Sequence, residues 1–136
     1  SLAVSLNAPN NKLRDKLMPI NRKYPLAELI NVVKEYIDIT NRRVTFEYVL
    51  IDGVNDSSHY AEQLGSLLSG LLCHINLIPV NPVPELNVHR PPQNKVKEFK
   101  NILLDEGVNV TIKQERETKI KAACGQLRYE KEKGGE

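Results

Sequence analysis

The hexapeptide Ala122-Ala123-Cys124-Gly125-Gln126-Leu127 sets a thiol between small residues and a glycine, in a chain with only one other cysteine, Cys73. A thiolate is a strong, soft nucleophile, and the glycine beside it lets the backbone bring the sulfur close to a ligand and swing it between positions. On composition alone the alternative is a buried cysteine acting as a small apolar residue, the commonest state of a free cysteine. Cys73 has that second character, because it stands just before an apolar strand. Further polar candidates are Ser5, Asn7, Asp52 and Asn81, each at or just beyond the end of an apolar run. Glu47 alternates against the Val44, Phe46, Tyr48 face of its run and is expected to point into a barrel, or else to reach a Lys or Arg from a strand end. Asp52, Asn55 and Asp56 lack the spacing and the bidentate Glu of an EF-hand and read as a solvated turn. His59, His74 and His89 are scattered without zinc-ligand spacing, so no metal site is expected.

The elements that must position these groups follow from periodicity. Leu2 to Leu6 reads as a buried strand ending at Asn7-Ala8-Pro9-Asn10. After Pro25, the residues Leu26, Leu29, Ile30, Val33, Tyr36 and Ile37 fall at helical spacing and end near Thr40-Asn41. Val44 to Ile51 is a strand, closed by the turn residues 52–56 and followed by a helix capped at Asp56 or Ser57. Ile75 to Val80 is a strand stopped by the prolines of Asn81-Pro82-Val83-Pro84. A helix from Asn94 stops at Gly107, and Val108 to Ile112 supplies a last strand. Strands alternating with helices of this length call for an α/β fold with a mostly parallel sheet, because each parallel crossover needs a dozen or more residues. The strands are too few to close a barrel, so the expectation is the C-terminal half of a TIM-like barrel, with its chemistry where strands end. The 136 residues suit one domain, the net charge of +2 predicts no particular partner, and no stretch is long enough to cross a membrane. Two cysteines are too few for a disulfide framework, and a reducing cytoplasm is the expected location.

The segments Ser5-Leu6-Asn7-Ala8-Pro9-Asn10, Leu13-Arg14-Asp15, Pro19-Ile20-Asn21, Arg42-Arg43-Val44-Thr45, Gly53-Val54-Asn55-Asp56, Asn76-Leu77-Ile78-Pro79, Asn81-Pro82 and the Cys124 hexapeptide occur in an order that resembles one family. That family is the radical S-adenosylmethionine enzymes that methylate C2 of adenine in 23S ribosomal RNA and transfer RNA. The resemblance implies a partial (β/α)6 barrel, residues 1–129 forming the C-terminal part of its core; the charged, Gly-ended residues 130–136 read as a disordered tail. It implies that Cys124 carries the methyl group and that Ser5, Leu6, Asn7 and Asn81 contact S-adenosylmethionine. Asn7 stands where many relatives have His, so only a hydrogen-bonding role transfers there. Arg116-Glu117-Thr118-Lys119-Ile120 lacks a glycine and an acid common in relatives, and Glu85 stands where a glycine is common. The family's Cys-x3-Cys-x2-Cys motif for a 4Fe-4S cluster is absent, so the resemblance places cluster, resolving cysteine and RNA-recognition region upstream and predicts a fragment inactive by itself. An electron donor and the two RNAs are the implied partners. Lys12-Arg14-Lys16, Arg22-Lys23 and Arg42-Arg43 are the candidate phosphate contacts, and self-association is one way for an open half-barrel to cover its edge. The competing readings are a noncatalytic RNA-binding or scaffold half-barrel and a thiol or redox enzyme built on Cys124.

Overall fold

The alternation of β-branched and aromatic residues with polar ones along each run decides which side of a sheet each residue takes, and helices then bury the apolar side. The structure, a computed structural model, describes residues 2–114. Its elements run β1 (Ala3–Ser5), α1 (Asn11–Leu17), α2 (Leu26–Thr40), β2 (Val44–Leu50), α3 (Ser58–Leu68), β3 (Cys73–Pro79), α4 (Gln93–Asp105) and β4 (Asn109–Ile112), with 3-10 turns at Pro19–Arg22 and Pro84–Leu86. The four strands form one parallel sheet in the order β1-β2-β3-β4.

All three long helices pack on the same side of that sheet. Leu26, Ile30 and Val33 of α2, Ala61, Leu64 and Leu68 of α3, and Val96, Phe99 and Leu103 of α4 share one core with Val44, Phe46, Tyr48, Ile75 and Leu77. Helices on one face with strands in chain order describe the wall of a parallel α/β barrel; a doubly wound sheet would carry helices on both faces. Within the core the Tyr48 and Phe99 rings meet at 5.3 Å between centroids. Cys73 is buried in the same cluster, and burial pushes its thiol up to about 11, so the core role read from its sequence position holds.

Local chemistry fixes the element ends. The Ser57 side chain accepts from the Tyr60 N–H and caps α3, while Asn41 ends α2 in a left-handed conformation at φ 55°. Gly107, at φ 83°, lets the chain turn back after α4, and the Val108 N–H returns to the Leu103 carbonyl at 3.0 Å. β3 begins two residues earlier than the apolar run Ile75–Val80 suggests, because Cys73 and His74 pair with Val44 and Thr45 of β2. α1 has no counterpart in the periodicity reading. Its seven residues are too few to display a repeating face, and the Asn10 side chain, accepting from the Leu13 N–H, sets its start. No helix among the described residues is long and apolar enough to cross a membrane.

Candidate functional site

Because every strand runs the same way, the segments Ser5-Leu6-Asn7, Ile51-Asp52 and Val80-Asn81 leave the sheet at one end. The chain after β4 leaves at that end too. Cys124, with the departures at Arg116–Ile120 and the 130–136 tail, lies outside the described residues.

The β1 end is held by a buried cation. Arg14, 4% exposed, donates from Nε to the Leu6 carbonyl at 3.0 Å, from Nη2 to the Ser5 carbonyl at 2.9 Å and from Nη1 to Asn21 Oδ1 at 2.8 Å. Asn21 in turn donates to Asp15 Oδ1 at 2.6 Å, which carries the charge compensation one residue further. Burial lowers the guanidinium pKa while neighbouring Asp15 opposes the shift. The expectation that Arg14 meets RNA phosphates with Lys12 and Lys16 is therefore corrected: Lys12 and Lys16 are exposed, and Arg14 is spent on the strand. Arg42 and Arg43 immediately precede β2 and are exposed at the sheet end opposite Ser5-Leu6-Asn7.

A second clamp joins β1 to β2. Asn55 is fully buried; its Oδ1 accepts from the Ile51 N–H at 2.9 Å, and its Nδ2 donates to the carbonyls of Asn7 at 2.8 Å and Val49 at 2.6 Å. The Tyr48 hydroxyl donates to the Asn55 carbonyl at 2.8 Å. Asp56 is buried as well, accepting from the Gly53 N–H at 3.1 Å and facing Lys95 Nζ at 3.4 Å. Asn55 and Asp56 thus belong to the interior, which corrects the solvated-turn reading. The turn looks solvated in sequence because Asp, Asn and Gly dominate it, but those side chains satisfy buried backbone groups.

The four described cofactor candidates separate in character. Leu6 turns its side chain into the helix-covered core, and its N–H donates to the Glu47 carbonyl at 2.9 Å. Asn7 is buried in a left-handed conformation at φ 61°; its Oδ1 accepts from the Val49 N–H at 2.9 Å and its Nδ2 faces Met18 Sδ at 3.7 Å. Its carboxamide is engaged in the fold. Ser5 stands on the opposite face from the helices, in register with Glu47, and Asn81 is exposed where the chain leaves β3.

That opposite face is polar. Ser5, Glu47, Asn76 and Thr111 occupy one register row across the four strands, and Thr45, His74 and Asn109 lie in the next row toward the strand starts. His74 Nε2 and Thr111 Oγ1 are 2.7 Å apart. Burial lowers the His74 pKa, and Arg43 and Lys113 push it the same way. Asn76 Oδ1 is buried without a hydrogen-bond partner. Among the described residues no group of three His, Cys, Asp or Glu side chains could hold a metal ion. Sequence reasoning gave Arg14 and Asn55 other roles and passed over Asn76. The signal for Asn76 was present: an amide interrupts an otherwise apolar strand between Ile75 and Leu77.

No family model matches the chain. Over 128 residues, 94% of its length, it is 58% identical to a protein named probable dual-specificity RNA methyltransferase RlmN from Caldicellulosiruptor saccharolyticus. It is 56% identical over the same share to the protein of that name from Desulforamulus reducens. The crystal structure of a radical SAM methyltransferase from Sphaerobacter thermophilus matches 93% of the chain with a TM-score of 0.83 and 54% identity. Over most of its length the chain is thus similar to part of each of these methyltransferases. It spans 37% of the length of those two relatives and 37% of the solved methyltransferase chain. A domain of pyruvate-formate lyase-activating enzyme from Bacteroides vulgatus shares the fold at a TM-score of 0.66 and 20% identity, over 82% of this chain and 66% of that one. Both solved structures share this parallel α/β architecture.

Proposed function

We propose that this chain is the part of a radical SAM RNA methyltransferase that binds the methyl donor and bears the methyl-carrying thiol, in an enzyme acting on C2 of adenine in 23S ribosomal RNA and transfer RNA. The reading is supported by 58% identity over 94% of the chain to a relative named a probable dual-specificity RNA methyltransferase. The chain's residues fit S-adenosylmethionine: a polar row crosses the face left open by the helices, with a buried amide oxygen lacking a partner. They do not fit an iron–sulfur cluster, since one of only two cysteines is buried in the core, and cluster ligands belong to sequence outside this chain.

Carbon 2 of adenine lies between two ring nitrogens and is too electron-poor to take a methyl group by polar attack. When bound, S-adenosylmethionine would supply the methyl group and the radical that activates it. Cys124 divides the task. Its thiolate would accept the methyl by displacement as the sulfonium carbon–sulfur bond breaks and S-adenosylhomocysteine leaves, and would hold that carbon as a covalent carrier for delivery to C2. Ser5 and Asn81 offer a hydroxyl and an amide to the donor's ribose and amino-acid groups. Leu6 and Asn7 shape the wall between them, and Arg14 and Asn55 hold that wall in place. A reducing cytoplasm keeps the Cys124 thiol free.

The test is the mass of the Cys124 peptide from the natural polypeptide carrying this chain. A gain of about 14 Da is expected after expression, from a covalent methyl carrier. An unmodified peptide, together with full activity of Cys124→Ala, would remove the relay. An unmodified peptide in a protein that binds RNA but no S-adenosylmethionine would establish the noncatalytic reading instead.

A further inference from the structure

The long helices use one flank in the same way. On α4, the residues just ahead of the core-facing Val96, Phe99 and Leu103 are Lys95, Glu98 and Ile102. One residue is a rotation of about 100°, so these three share the flank to one side of the core. Lys95 Nζ faces Asp56 Oδ2 at 3.4 Å and Glu98 accepts from the Ser58 hydroxyl, so that flank meets the element before α4. On α3 the residues ahead of Ala61, Leu64 and Leu68 are Tyr60, Gln63 and Leu67. Tyr60 packs on the Leu13 and Leu17 cluster of α1, and Gln63 accepts from Asn10 Nδ2 at 2.9 Å, so this flank also meets earlier chain. On α2 the residues ahead of Ile30, Val33 and Ile37 are Leu29, Val32 and Tyr36, and Ile39 continues the row. α1, which packs beside α3, does not cover them. Val32 is 58% exposed and Ile39 82%, and with Ile20 and Tyr24 they make four of the seven large apolar side chains exposed among the described residues. Ile20, Tyr24, Leu29 and Val32 line a groove of about 670 Å³.

An exposed apolar patch of this kind marks an interaction surface, and its place in the fold names the occupant. Parallel crossovers are right-handed, and from β2 onward each strand pairs with the strand before it. A strand that continues this order past β1 therefore precedes β1 in the chain, and its crossover helix lies beside α2 on the side away from α3. That is the flank bearing Leu29, Val32 and Tyr36. β1 has three residues and one described partner, which leaves its outer edge open to a parallel neighbour. Relatives have the length to supply one, since this chain spans 37% of them. We propose that in the natural polypeptide a helix from the sequence preceding Ser1 seats apolar side chains in the groove between Ile20, Tyr24 and Val32, while its strand pairs with β1. The docking rests on the likeness to longer relatives and is independent of the methyl-transfer chemistry.

Photo-cross-linking of the natural polypeptide, with a benzophenone amino acid in place of Tyr24, tests it. Adducts are expected within one chain, on peptides that precede Ser1. Adducts on residues 115–136, or between two chains, would overturn the proposal. Maleimide labelling gives an independent reading: Val32→Cys should react about tenfold more slowly than Asp38→Cys on the opposite, exposed flank, because a covered thiol waits for local opening. The ratio should survive roughly hundredfold dilution; protection lost on dilution would assign the groove to a second copy and overturn docking within the chain. Equal labelling rates would overturn it as well, and the rates decide alone if nothing cross-links. None of these outcomes alters the mass of the Cys124 peptide, so failure here leaves the functional reading standing.

Discussion

Arg14 shows how a charge on a short helix can serve a strand. Its three bonds end on two β1-segment carbonyls and on Asn21, and a guanidinium presents those donors in a fixed fork that an ammonium cannot copy. Arg14→Lys is therefore expected to cost about 3 kcal/mol in urea unfolding, since carbonyls buried without donors cost about 1–3 kcal/mol each and not additively. A change within about 0.5 kcal/mol would show the clamp to be dispensable. The role was hidden in the sequence because Lys12-Arg14-Lys16 reads as a basic stripe only while the segment is taken as a loop. On the α1 helix, residues two apart take opposite sides, so Arg14 turns inward as Lys12 and Lys16 turn out. Asn55 was hidden for a related reason: a turn-forming amide looks alike whether it faces water or backbone. Ser5 and Asn81 were legible from their places at strand ends, and Glu47 from alternation alone.

Among the helices, the long ones with a repeating apolar face were legible from sequence and the short α1 was not. α2 shows its apolar face over fifteen residues, whereas α1 shows seven. β3 extends past its apolar run to His74, which β4 meets through Thr111. The burial of His74 makes the β3–β4 pair sensitive to acid. Burial, Arg43 and Lys113 lower the folded-state pKa of His74 below its ordinary value of 6.5, so the unfolded chain binds the proton first as pH falls. Stability from this site is fully present above pH 6.5 and declines as pH drops below it toward the folded-state value. Urea midpoints measured at several pH values should fall on acidification more steeply for wild type than for His74→Gln. Parallel curves for the two proteins would remove His74 from the account.

The class of the whole molecule was legible because strand and helix periods alternate regularly, and every parallel pairing that the alternation implies is present. The side on which the helices lie was not legible from periodicity, since an amphipathic helix has the same pattern on either face of a sheet. That arrangement sets a gradient of stability. β2 and β3 each have a partner on both sides, while β1 and β4 are the sheet edges among the described residues and β1 has only three residues. Amide hydrogen exchange should be slowest in β2 and β3 and fastest in β1; uniform protection across the sheet would contradict the order. The same order has a bearing on biosynthesis. From β2 onward each strand pairs with the strand synthesised immediately before it, so a nascent chain can add one crossover at a time to a surface already formed.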